Sequence, residues 1–130
     1  MKRLVVETRT RTFAVDVIRF AAEMPRNQLT QIICSQLIRS ATSVGANYRE
    51  ANRAESRRDF GHKVAIVEKE AAETLYLFEL CKEIPLGDSR DLARLAQECN
   101  ELLAIFTKVG KTTKRILQSA IRNPQAAFPS

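Results

Sequence analysis

The chain has 130 residues, 45% of them hydrophobic and 28% charged, with a net charge of +6 and an isoelectric point near 9.6. That length suits one domain with one core, and the balance of apolar and charged groups excludes disorder. Trp is absent and Gly and Pro number four each, which argues against a turn-rich β sandwich. The longest uncharged run inside the fold, residues 27–38, is too short to cross a bilayer, which takes about 20 apolar residues. The start is basic, but its apolar patch is only Leu4, Val5 and Val6, against the roughly 7–15 residues of a signal peptide. A cytoplasmic location is expected, with no membrane partner.

In chain order, residues 1–11 read as a basic N-terminal arm. A first helix spans about 12–24, with Phe13, Val17, Phe20 and Ala21 on one face and Pro25 as its stop. A second covers about 27–53, with Ile33, Leu37, Ser40, Val44, Asn47 and Ala51 along its seam. A third covers about 57–84, opened by Ser56 with Asp59 three residues on and closed by Pro85. The fourth spans about 89–121. Its seam of Leu92, Leu95, Cys99, Leu102, Phe106, Val109, Thr113, Ile116 and Ala120 alternates steps of three and four, the period of left-handed helix packing. From about residue 122 the chain reads as a frayed tail. The connections are short, and short links set successive helices antiparallel. The fold class is all-α, an up-down-up-down antiparallel four-helix bundle in a single domain of residues 1–130.

The second helix carries an oddity in "SVGANYREANRAESRRDF", residues 43–60. Helical spacing puts Ser43, Asn47 and Glu50 on one stripe, where apolar residues would ordinarily be buried. Folding the hairpin back through residues 54–56 brings Asn47 and Glu50 toward Lys63, and Ser40 and Ser43 toward Glu70. A semi-buried polar network of Ser43, Asn47, Glu50, Lys63 and Glu70 that fixes the hairpin register is therefore expected; a catalytic carboxylate pocket is the alternative. The third helix also has a second, mixed stripe through Lys63, Ile66, Glu70, Glu73, Leu77, Leu80 and Ile84. One bundle need not cover that stripe, which points to a homo-oligomer.

The run S-V-G-A-N-Y-R-E-A, then A-x-S-x-x-D-F, then K-E-A-x-E-T-x-Y resembles the bacterial four-helix bundle family known from 23S rRNA intervening sequences, the S23 family. The resemblance covers about 40 residues strongly and the remaining helices by length and order. It implies a compact bundle, a pentamer in some members, and no settled biochemical activity. Members encoded inside rRNA genes give the family its name. A distantly similar group serves as an accessory protein that contacts a reverse transcriptase and nucleic acid. The chain departs from the family pattern at Gly61, where a bulkier residue is usual, and at Leu77, where Trp often follows the Tyr.

Sites of chemistry are few. A di-metal bundle site needs Glu-x-x-His on two helices, and His62 is the single histidine. No phosphate-binding Gly loop and no HExxH occur. Cys34, Cys81 and Cys99 are far apart and sit among apolar positions, as buried reduced thiols do. No catalytic residue, metal, cofactor or small-molecule substrate is expected. From residue 107 on there are five basic residues and no acid, and Lys108, Lys111, Lys114 and Arg115 cluster on the fourth helix. A solvated face and a nucleic-acid contact both account for that cluster; a contact there would be chiefly to phosphate. The function expected is a non-enzymatic oligomeric scaffold or adaptor, with a nucleic-acid-binding accessory protein as the alternative.

Overall fold

The computed structural model describes residues 3–122. They form α1 (Arg3–Ala22), α2 (Gln28–Asn52), α3 (Arg57–Glu83) and α4 (Ser89–Arg122), with no strand among the described residues. Each helix packs on the next, and α1 closes the ring against α4 in the loosest of the four seams. This is the expected up-down-up-down bundle. No described helix is long and apolar enough to cross a membrane.

The helix ends follow from local chemistry. Asn27 Oδ1 accepts the Thr30 N–H at 3.0 Å while Thr30 Oγ1 accepts the Asn27 N–H at 3.1 Å, a reciprocal box that starts α2. Ser56 Oγ accepts the Asp59 N–H at 3.0 Å and starts α3. Asp88 Oδ1 accepts the N–H groups of Arg90 and Asp91, each at 3.0 Å, at the mouth of α4. Gly87 turns the chain between α3 and α4 with φ +82°, and a Cβ there would come within 2.5 Å of Phe20 Cζ. Both the backbone sign and the neighbouring ring require glycine.

The N-terminal arm is not an arm. Residues 3–11 are the first turns of α1, which begins nine residues earlier than expected and ends before Pro25, at Ala22. Val6 and Thr10 are buried and extend the stripe of Phe13, Val17 and Phe20 by two more turns. The charged residues between them hid that period in the sequence. The tail from residue 123 lies outside the described residues.

The core is a column of apolar layers joined across both diagonals by aromatic rings. Phe78 on α3 meets Phe13 and Phe20 on α1 edge-on, each at 6.3 Å between centroids. Tyr48 on α2 lies 5.4 Å from Phe106 on α4. The mixed stripe of α3 is largely covered within one bundle: Leu77 is 3% exposed, and Ile66 and Leu80 are half-buried. Only Ile84 at its end stands open, 43% exposed. The uncovered stripe expected of α3 is thus reduced to one residue, because α2 leans over the rest.

Candidate functional site

The polar stripe of α2 behaves differently from the expected network. The crossing to α3 is made by Ser40, whose Oγ accepts from Thr74 at 2.8 Å in a fully buried contact. Thr74 Oγ1 also lies 2.8 Å from the Glu70 carbonyl oxygen. On the outer side Arg39 donates to Glu70 at 3.2 Å and also bonds Glu73. Those bonds, that to Glu73 first, push the Arg39 pKa up and keep it charged. Glu70 therefore meets α2, but through Arg39 and not through Ser43.

Ser43 donates to the Arg39 carbonyl at 2.7 Å, and Asn47 to the Ser43 carbonyl at 2.9 Å. Both turn back on their own helix, because the carbonyl one turn earlier is the nearest acceptor for so short a side chain. Glu50 is exposed and Lys63 half-buried, and neither side chain has a hydrogen bond or ion pair among the described residues. The structure does not bring Ser43, Asn47, Glu50 and Lys63 together. Arg39 is the residue that sequence reasoning missed. Its position beside Ser40, with an arm long enough to span two glutamates one turn apart, was the available signal.

A second arginine clasps the bundle on the opposite side. Arg9 on α1 grips both carboxylate oxygens of Glu98 on α4, at 2.8 and 2.7 Å, and reaches Glu101 at 2.7 Å. The paired carboxylate of Glu98 pushes the Arg9 pKa up against the opposing effect of burial. Glu101 is held below the usual carboxylate range, first by a bond from Gln97 and then by Arg9. Nearer the loop end, Asp16 pairs with Arg94 at 3.3 Å.

These pairs fix how α1 lies along α4, and with it where the basic face stands. The α1–α4 register sets Arg3 level with about residues 104–107. α1 has 20 residues and α4 has 34, or about 30 Å against about 51 Å. The end of α4 from about Lys108 on therefore has no described α1 residue beside it and rests on α3. Gly61 allows that rest: a Cβ there would lie 3.0 Å from Thr113 Cγ2. A side chain at this position would require Thr113 to shift.

Lys108, Lys111, Lys114 and Arg115 are all exposed. None makes an ion pair among the described residues, and Arg115 bonds only Thr112, at 3.4 Å. Lys111 and Lys114 line an open groove of about 370 Å³ between α3 and α4, whose other wall carries Arg58 and His62. Lys108, Lys111 and Arg115 line a shallower hollow of about 420 Å³ along α4. The absence of acid from this segment of α4 does not leave the groove purely basic. Glu68 of α3 lines it too, accepting from Thr107 at 2.9 Å.

The thiols are free. Burial pushes Cys81 up to about 11 and Cys99 up to about 12. Cys99 donates to the Ala71 carbonyl at 3.3 Å and ties α4 to α3. Cys34 is only half-buried, 3.5 Å from Met24 Sδ, and burial raises its pKa as well. Among the described residues no three His, Cys, Asp or Glu side chains are grouped to hold a metal ion.

The family model described as 23S rRNA-intervening sequence protein matches residues 2–108. Lys111, Lys114 and Arg115 lie beyond that span. Among solved structures, the chain is similar to a protein of unknown function from the S23 ribosomal protein family of Bacteroides thetaiotaomicron. The two share 32% identity, with a TM-score of 0.78 and coverage of 85% of this chain and 99% of that one. No curated protein matches the chain. With the family model spanning α1 to the middle of α4, the chain belongs to the 23S rRNA-intervening sequence protein family, the S23 family.

Proposed function

We propose that this protein is a non-enzymatic adaptor that holds nucleic acid by its phosphates on the basic end of α4. One observation carries the reading. Four exposed cations, Lys108, Lys111, Lys114 and Arg115, have no ion-pair partner among the described residues, on a stretch of helix with no described α1 residue beside it. Cations of this kind neutralise phosphates and release counterions, which gives affinity without sequence preference. The adaptor character is supported by where the polar residues of α2 point: Ser43 and Asn47 bond their own backbone and Glu50 stands in solvent. Free thiols support a cytoplasmic setting.

Self-association as a scaffold is the second reading. It draws on the outer α2–α3 seam. Two turns from Arg39 on α2, Ile32 stands 53% exposed, with Leu29 48% exposed a turn beyond it, and the Arg39–Glu73 register sets them level with the end of α3, where Ile84 is also exposed. Light scattering at micromolar concentration tests it; the reading expects a mass that is a multiple of the 14.7 kDa chain, a pentamer by family resemblance, and a clean monomer would remove it.

For nucleic acid, the test is an anisotropy titration of duplex RNA and DNA with the wild type and with a variant carrying Gln at residues 108, 111, 114 and 115. The expected result is micromolar binding at low salt that the variant loses at unchanged helix content. Equal binding by both proteins would reduce the cluster to a solvated face.

A further inference from the structure

Resting on the proposed function, we infer that the ligand is a double-stranded nucleic acid whose backbone lies in the α3–α4 groove, with Arg58 and His62 of α3 as its second wall and Glu68 as a built-in counter-charge that weakens the grip. Three features of the groove lead there. First, its basic side chains come from two helices. Lys111 and Lys114 stand on α4, Arg58 and His62 stand opposite on α3, and all four are exposed with no ion pair among the described residues. Gly61 sets the two walls close, with the Thr113 methyl nearest the space a side chain would take and Leu117 beside it. A row of charges on one helix touches a strand from one side, whereas two facing walls hold it.

Second, no Phe, Tyr or Trp side chain lines this groove or the hollow beside it. Stacking on an aromatic face is worth about 1–3 kcal/mol per base and is what makes single strands bind well. Without a Phe, Tyr or Trp platform the site offers chiefly phosphate contacts. Such contacts favour the duplex, whose axial charge density is twofold higher and whose counterion release per contact is larger, about 0.9 against about 0.7 for single strands.

Third, Glu68 is the one acid lining the groove, and Thr107 holds it there. A carboxylate beside a phosphate path repels it, so its charge limits affinity. Its neutral isostere keeps an acceptor for Thr107 and leaves the α3–α4 contact in place.

The experiment titrates the full chain against a duplex and a single strand of one sequence, over a series of salt concentrations. It compares wild type with Arg58→Gln, His62→Gln, Glu68→Gln and Lys111→Gln, each checked for unchanged helix content. The duplex should bind several-fold more tightly than the single strand. Arg58→Gln and Lys111→Gln should each weaken duplex binding and lower the log–log salt slope by about 1. His62→Gln should weaken it less, and Glu68→Gln should tighten it. Single-strand binding as tight as duplex binding overturns the inference. So do Arg58→Gln and Glu68→Gln variants that titrate like wild type while Lys111→Gln loses affinity, and in that case the proposed function survives. A wild type that binds neither strand form overturns both.

Discussion

α3 has two working edges, and they are built in opposite ways. Against α2 three of its polar groups are closed off: Thr74 bonds Ser40 in the interior, and Arg39 bridges Glu70 and Glu73 at the surface. Against α4 the same helix presents Arg58, His62 and Glu68 to an open groove that also exposes Lys111 and Lys114. Of these five side chains, only Glu68 has a partner among the described residues, the neutral hydroxyl of Thr107. A buried polar group without a partner is costly, and at the α2 edge the buried Thr74 hydroxyl is held by Ser40. At the α4 edge water solvates the charges at little cost, and they remain free for a ligand. One edge serves folding and the other is available for binding.

Substitutions that separate the two edges should differ in size. The largest effect belongs to neither edge alone. Phe78→Ala removes the ring that joins α3 to Phe13 and Phe20 and should cost about 3–5 kcal/mol in urea unfolding. Thr74→Val strips the buried hydroxyl at constant shape and should cost about 1–3 kcal/mol with an unchanged m-value. A loss no greater than that of Glu68→Gln would mean that the α2 edge is no more closed than the α4 edge.

The buried thiols add a pH-dependent contribution. Cys99 rises from 9.0 to about 12 in the folded chain, so the unfolded chain gives up its proton first. Stability from this group is complete below about pH 9 and falls as pH rises toward 12. Thermal melts over that range should decline less steeply for Cys99→Ala than for wild type. The smallest effect is expected of Glu50→Ala, an exposed residue without a partner among the described residues, at less than about 0.5 kcal/mol. A larger loss would restore the hairpin-anchoring role that its place on the polar stripe suggested.

Much of the bundle was legible because its signals are local. Asn27, Ser56, Pro85 and the seam of α4 from Leu92 to Phe106 mark boundaries and faces without reference to any partner. The start of α1 was hidden because Glu7, Thr8 and Arg9 separate Val6 from Thr10, and only the neighbouring helices reveal that those two are buried while Leu4 and Val5 are exposed. The α2–α3 contact was legible as a register but not as a set of bonds. Spacing places residues opposite each other, and it does not say that Asn47 will prefer its own backbone or that Arg39 will reach past Ser40 to two glutamates. The basic residues of α4 were legible as a cluster. Arg58, His62 and Glu68 were not, since they join it only once α3 is laid against α4.

Amide chemical-shift mapping of the labelled protein during titration with a short duplex at low salt tests the central claim most directly. The account predicts shifts concentrated at residues 58–68 of α3 and 104–117 of α4, lost together as salt is raised, with α1 and the outer α2–α3 seam unmoved. Saturating duplex that shifts no amide, or shifts centred on α1 or on the Leu29–Ile32 surface, would contradict it.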